Sequence, residues 1–272
     1  PLPVVRDTGR TEANWRIFDI NYRSTDNMSI GGWLLIPDTG KVKRGFVIGH
    51  GYGGRDEPDT HLPFKNAALL FPCCRGISRT PLPNISADPN WHVLHNIDQP
   101  DRYVHRGCVE DTWLAVSALL RLFPQVEGHL GYLGVSFGGG IGALALAWDK
   151  RVQRAHFKVP SFGNHPIRLT LPTYGSGASV TRYHNQHPEK TFKTLRLFDA
   201  AVAATHIDIP VFCACALRDP FVAPPGQFSI YNALSGTKKL QVLQAGHEDN
   251  YPGEAKDEEK LLRKLRKFFK RL

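Results

Sequence analysis

The sequence predicts an α/β fold with a mostly parallel central sheet and helices on both of its faces. Three observations carry this. Short, fully apolar runs recur along the chain, each ending in a loop rich in Gly, Pro or Asp. Stretches with apolar residues at helical spacing fall between several of these runs. No apolar run approaches the roughly 20 residues needed to span a bilayer. Strands that are apolar throughout are buried on both faces, as in parallel sheets covered by crossover helices. The 272 residues are 42% hydrophobic and 22% charged, an ordinary globular composition. Residues 1–272 are expected to form a single sheet-based domain.

Residues 15–24 and 29–36 read as a hairpin, because alternating or β-branched residues flank the polar turn Asp26-Asn27. The short apolar runs follow at residues 45–49, 67–71, 130–134, 155–159, 211–217 and 240–243. Residues 108–123 are the clearest helix, with Val109, Trp113, Val116, Leu120 and Phe123 on one stripe. A small-residue helix is expected over 139–148. Two segments exceed a minimal sheet and read as insertions. Residues 72–106 are rich in Pro, Asn and Asp and hold Trp91, His92 and His95. Residues 160–210 hold helical patches, including 191–204. Long insertions in such domains usually shape a site or an interface. Trp91 and Phe162 are the candidates within them for lining a pocket.

The formal net charge is +9, and much of it lies in residues 260–272. There Leu261, Leu262, Leu265, Phe268, Phe269 and Leu272 recur at helical spacing, with Lys and Arg on the remaining face. That pattern predicts a C-terminal helix docked on the sheet with a solvated basic face. Neither a nucleic-acid nor a membrane partner is expected, since no base-reading motif or aromatic interleaving accompanies the charge. The cysteines are Cys73, Cys74, Cys108, Cys213 and Cys215. Their number is odd and their spacing matches no zinc pattern, so buried free thiols and a reducing compartment are expected. Residues 1–10 lack the pattern of a signal peptide, and a cytoplasmic location is the expectation. The chain starts at proline, as a trimmed chain would.

Gly134-Val135-Ser136-Phe137-Gly138 is a G-x-S-x-G motif between an apolar strand and a small-residue helix. A sharp strand-to-helix turn lifts the serine Oγ into a cleft, and the flanking glycines leave room for it. The helix N-terminus directs free amides at developing negative charge. A neutral serine needs an adjacent base. His247 lies directly after the last predicted strand, and Asp219 follows the run 211–217 through Arg218. Together they give the chain order Ser, Asp, His of an α/β-hydrolase. Asp208 and Asp199 lie on the wrong side of that strand. Glu248 and Asp249 adjoin the histidine, but adjacency in sequence does not give triad geometry. His50-Gly51-Tyr52-Gly53-Gly54 follows another strand and suits an oxyanion hole. The backbone N–H groups of Tyr52 and Phe137 are its expected donors. No phosphate loop, dinucleotide fingerprint or metal cluster competes, so no cofactor and no metal is expected.

With these motifs in order, the chain resembles carbohydrate esterase family 7, the acetyl xylan esterases and cephalosporin C deacetylases, over residues 30–250. Arg75-Gly76-Ile77 is similar to the family's Arg-Gly-Gln motif, Gly134 to Gly138 to its Gly-x-Ser-Gln-Gly elbow, and His247-Glu248 to its His-Glu motif. Further similarity runs from Phe198-Asp199 to Ala203, and from Leu217 and Asp219 through Pro224-Pro225 to Tyr231-Asn232. Tyr52 matches the oxyanion tyrosine of the family's Gly-Tyr-x-Gly loop. The resemblance implies a Ser-His-Asp esterase that removes acetyl groups from small acetylated sugars and cephalosporins, and assembly into hexamers with a restricted entrance. Two positions depart from the pattern: Ile77 and Phe137 stand where the family has Gln. The Phe137 N–H is still available, so the difference bears on substrate choice rather than on catalysis. The alternatives are a broader carboxylesterase, a thioesterase, a prolyl-type serine peptidase and a catalytically silent hydrolase-like binding protein.

Overall fold

The computed structural model describes residues 2–248 and 250–272. Nine strands form one sheet: β1 (Val4–Glu12), β2 (Trp15–Arg23), β3 (Ser29–Pro37), β4 (Arg44–Gly49), β5 (Ala67–Pro72), β6 (Leu130–Val135), β7 (Arg154–Lys158), β8 (Val211–Ala216) and β9 (Lys238–Leu243). Their spatial order is β1-β2-β3-β5-β4-β6-β7-β8-β9. The pairs from β1 to β5 along this order are antiparallel, and those from β5 through β9 are parallel. The helices are α1 (Pro89–His92), α2 (Val104–Leu122), α3 (Phe137–Leu146), α4 (His165–Arg168), α5 (Gly175–Gln186), α6 (Pro188–Leu195), α7 (Ala200–Ala204), α8 (Pro224–Ala233) and α9 (Glu254–Phe269).

The expected mostly parallel sheet with both faces covered is present, with an antiparallel N-terminal edge. On one face Val116, Leu119, Ile141, Leu144 and Ile230 pack with Val47, Leu70 and Cys213 of the strands. On the other, α9 lays Leu261, Leu265, Phe268 and Phe269 against Phe46, Phe212 and Ala214. Beside α9, the connection from β4 to β5 covers that face without a helix. Its Phe64 stacks on Phe46 with ring centroids 4.1 Å apart, and Phe269 meets Phe46 edge-on at 5.3 Å. The basic residues of α9 are left on the outer side, as its periodicity predicts. All five cysteines are buried free thiols.

Three details differ from the sequence expectation. The N-terminal segment Val4–Glu12 forms an edge strand whose residues are mostly exposed. Its polar composition carries no burial pattern, and the strand exists through its pairing with β2. Residues 191–204 are two helices, α6 and α7, because Asp199 is extended and caps α7 by accepting the N–H of Ala201 at 2.9 Å and of Val202 at 3.4 Å. A capping aspartate offers the backbone a local alternative to helix continuation. The third is an earlier start for α2, at Val104. Among the described residues no helix is long and apolar enough to cross a membrane.

Candidate active site

The parallel strands point their C-terminal ends to one side, where ligands of such sheets bind. The loops singled out in the sequence for catalysis emerge there: His50 to Gly54 after β4, Ser136 after β6, Asp219 after β8 and His247 after β9, with the segment that begins at Pro160 following β7. Ser136 occupies the turn between β6 and α3 with φ 52° and ψ −114°. Positive φ is strained for a side chain larger than glycine, and such strain is held only where neighbours fix it. Here the Ser136 N–H donates to Lys158 O at 2.9 Å, and its carbonyl accepts from Gly140 N and Ser161 N, each at 3.0 Å. Both motif glycines are required by space. A Cβ on Gly134 would sit 2.3 Å from Gly138 O, and one on Gly138 would sit 2.7 Å from the Gly49 carbonyl carbon.

Ser136, His247 and Asp219 are joined in a hydrogen-bonded chain. The Nδ1–H of His247 donates to Asp219 Oδ2 at 2.8 Å. A neutral imidazole then carries its acceptor at Nε2, and the Ser136 hydroxyl donates to it at 2.8 Å. The Asp219 side chain is fully buried, whereas that of His247 is 24% exposed. Asp219 has two jobs at once. Its Oδ1 accepts from the N–H groups of Phe221 and Val222, each at 2.9 Å, which caps the turn after Pro220. Its Oδ2 serves His247 and also accepts from Gln227 Nε2 at 3.0 Å.

Gln227, on α8, is a residue the sequence did not single out. It is wholly buried. Its Oε1 accepts from the Ala216 N–H at 2.9 Å, while Nε2 also donates to Val222 O at 2.7 Å. Both amide donors are thereby used, and the amide ties the end of β8 to the Asp219 carboxylate. The other acids stand elsewhere. Asp208 pairs with Lys150 and Glu248 with Arg218, and Asp199 caps α7. Asp249 lies outside the described residues.

The loop after β4 is fixed from beneath. Cys74 N–H donates to His50 Nε2 at 3.1 Å, so Nδ1 carries the proton and donates to Gly51 O at 2.6 Å. Tyr52 is held by two histidines. His92 Nε2 faces a carbonyl, Arg75 O, at 2.9 Å and must be its donor there. His92 Nδ1 is therefore an acceptor and takes the Tyr52 hydroxyl proton at 2.9 Å. The same oxygen accepts from His105 Nε2 at 3.2 Å. Burial keeps both imidazoles neutral: it pushes the His92 pKa down to about 4 and that of His105 well below the usual value. The Arg-Gly-Ile segment thus supports the loop after β4 through His92, and Arg75 is itself anchored on buried Asp111. His92 proves to be a support for Tyr52, whereas His95 lines a separate surface hollow.

The backbone N–H groups of Tyr52 and Phe137 make no hydrogen bond among the described residues. The Phe137 ring is fully buried and packs 4.4 Å from Tyr52, 5.6 Å from His50 and 6.0 Å from Phe162. Where the family pattern that the sequence resembles has Gln, this chain thus has an apolar ring that fills an aromatic cluster under the loop. Ile77 is likewise buried in the core. Ser136 and His247 open on a cavity of about 540 Å³. Both long segments contribute to it: Asn90 from residues 72–106, and Ser161, Arg168 and Ser176 from residues 160–210. Of the two aromatic candidates, Trp91 is exposed beside a neighbouring hollow and Phe162 is buried behind the wall.

A serine, a histidine and a carboxylate joined in this order, at the C-terminal edge of this sheet, define an α/β-hydrolase. The family model of acetyl xylan esterase (AXE1) matches residues 5–265. The chain belongs to the acetyl xylan esterase family, and it is a carboxylic ester hydrolase of the serine class. Solved structures with the same fold include the acetyl xylan esterase from Paenibacillus sp. R4, at 22% identity and a TM-score of 0.84, covering 97% of this chain and 89% of that one. Acetyl xylan esterase 1 from Thermoanaerobacterium sp. JW/SL YS485 shares 16% identity with a TM-score of 0.79, over 97% of this chain and 88% of that one. An acylaminoacyl peptidase of Pyrococcus horikoshii aligns at 15% identity and a TM-score of 0.68, over 95% of this chain but 42% of that one.

Proposed function

We infer that this protein removes acetyl groups from small acetylated carbohydrates through an acyl-enzyme on Ser136, with His247 as base and Asp219 as the acid that orients it. The observation that carries the reading is the unbroken chain from the Ser136 hydroxyl through His247 to Asp219, with Ser136 facing the cavity. Ser136 Oγ attacks the acetyl carbonyl while its proton passes to His247 Nε2. The carbonyl π electrons move onto oxygen, and the N–H groups of Tyr52 and Phe137 donate to that oxyanion. Collapse expels the sugar alkoxide, which takes the proton from His247. Water then attacks the acetyl ester of Ser136, giving its proton to His247, and acetate leaves as Ser136 regains a proton. Throughout, Asp219 stabilises the imidazolium without itself being protonated.

Two further expectations belong to the same reading. The buried free thiols support a cytoplasmic location. Exposed Trp91, Tyr174 and Phe221 provide apolar surface for the hexameric assembly that the family resemblance implies. The test of function is an acyl-length series of aryl acetate, butyrate and octanoate, followed by acetylated xylo-oligosaccharides. The expected result is a kcat/KM that falls at least about tenfold from acetate to octanoate, since a site shaped for the small acyl group must reorganise for the long one. Equal or higher rates on octanoate would overturn the deacetylase reading in favour of a broader esterase.

A further inference from the structure

Of the Asp, Glu, Lys and Arg side chains among the described residues, one lines the cavity: Arg168, at the end of α4. It is 9% exposed. Withdrawing a charge from water without a partner is costly, so a buried guanidinium ordinarily meets a carboxylate. Arg168 meets none, for among the described residues no Asp or Glu oxygen lies within 4.0 Å of it. Asp199, whose charge is felt at Arg168, is already engaged. It accepts the N–H groups of Asn164 at 2.9 Å and His165 at 2.7 Å, besides capping α7.

Hydrogen bonding to the guanidinium is equally sparse. Nη1 donates to His165 Nδ1 at 3.3 Å. That nitrogen is an acceptor because His165 Nε2–H donates to Phe198 O at 3.1 Å, and burial, aided by the nearby guanidinium, holds the imidazole neutral with a pKa of about 4. A guanidinium has five donors in a fixed fork. Nε and Nη2 of Arg168 have no partner among the described residues, and neither is sealed from solvent. The Phe162 ring backs the group, with 5.5 Å from Cζ to its centroid. A flat cation, fixed on one side and unsatisfied on the other, forms part of the wall of a cavity that no carboxylate lines.

We propose that Arg168 is a substrate-recognition residue whose free donors bind a carboxylate on the alcohol part of the ester. The inference rests on the acetyl-esterase reading, since with an acetyl acyl group the charge must lie on the leaving alcohol. Within carbohydrates the matching class is an acetylated sugar acid. The planar fork suits two parallel hydrogen bonds to a carboxylate, which lysine cannot reproduce.

The test compares phenol release from 3- and 4-carboxyphenyl acetate with release from the corresponding methyl carboxylates. For each enzyme the kcat/KM of the charged ester is divided by that of its neutral partner. Dividing the wild-type ratio by that of Arg168→Gln cancels the intrinsic reactivity of the esters. The expected quotient for at least one isomer is about tenfold to hundredfold, the worth of a charge-assisted hydrogen bond, with Arg168→Lys intermediate. A quotient near one for both isomers, with charged and neutral esters losing rate together or not at all, would overturn the proposal. If Arg168→Gln does not fold, the same quotient is read against Arg168→Lys. If no phenol is released at all, the acetyl-esterase reading fails separately. Calorimetric binding of 4-carboxyphenyl acetate to Ser136→Ala, with and without the Arg168 substitution, then decides Arg168 alone: at least tenfold weaker binding supports it and equal binding overturns it.

Discussion

Replacing Ser136 with alanine is expected to lower kcat on aryl acetates by about 10⁶, as loss of the nucleophile does in other serine hydrolases. The geometry explains the size. Among the described residues His247 Nε2 has a single hydrogen-bond partner, the Ser136 hydroxyl at 2.8 Å. Water attacking directly would retain the oxyanion donors, so a residual rate of about 10³ to 10⁴ over the uncatalysed reaction should persist. Asp219→Asn is expected to cost about 10⁴, because an amide facing Nδ1 favours the wrong tautomer of the imidazole. Steady-state kinetics check both, with circular dichroism confirming that each variant is folded. A Ser136→Ala rate within tenfold of wild type would exclude Ser136 as the nucleophile.

Asp111→Ala should be the most destabilising substitution behind the site, by about 3–5 kcal/mol, the usual cost of stripping one partner from a buried pair. Asp111, on α2, is completely buried. Its Oδ2 accepts from Arg75 N at 3.0 Å and Nε at 3.1 Å, and its Oδ1 from Nη2 at 2.8 Å. Removing the carboxylate would leave the guanidinium of Arg75, a residue 5% exposed, with exposed Asp26 as its remaining acidic partner among the described residues. The effect should reach the chemistry as well. Arg75 O accepts the His92 Nε2–H, and His92 Nδ1 accepts the Tyr52 hydroxyl, so the loop after β4 loses its footing. Urea unfolding measures the loss, and Arg75→Met/Asp111→Leu should be less destabilised than either single variant, because no buried charge is left unpaired. A loss below about 1 kcal/mol for Asp111→Ala, the size of an exposed ion pair, would contradict this account of the pair.

What the sequence made legible follows from where the constraint is local. The strand ends carrying His50, Ser136, Asp219 and His247 could be read because apolar runs and turn residues mark them without reference to the rest of the chain. The order of serine, acid and base then placed three distant residues on one sheet edge. Gln227 escaped notice because its importance is wholly tertiary: a glutamine inside a helix gives no hint that its amide bridges the end of β8 and Asp219. Arg168 escaped for the same reason, since the lack of a carboxylate partner among the described residues is visible only in space. The edge strand β1 is a third case, for its polar residues satisfy no burial pattern and depend on a neighbour for their hydrogen bonds. Phe137 shows the converse. Its departure from the family pattern was plain in the sequence, yet only the packing shows that the ring leaves the cavity and fills the cluster around Tyr52.

The central claim is the covalent intermediate on Ser136, and it is tested most directly by rapid acid quench during turnover of an aryl acetate, with mass analysis of the digested protein. A burst of phenol at no more than one equivalent is expected, with one acetyl group on the peptide that contains Ser136. An acetyl group borne by a different side chain, or turnover with no acylated peptide and no burst even when deacylation is slowed by low temperature, would contradict it.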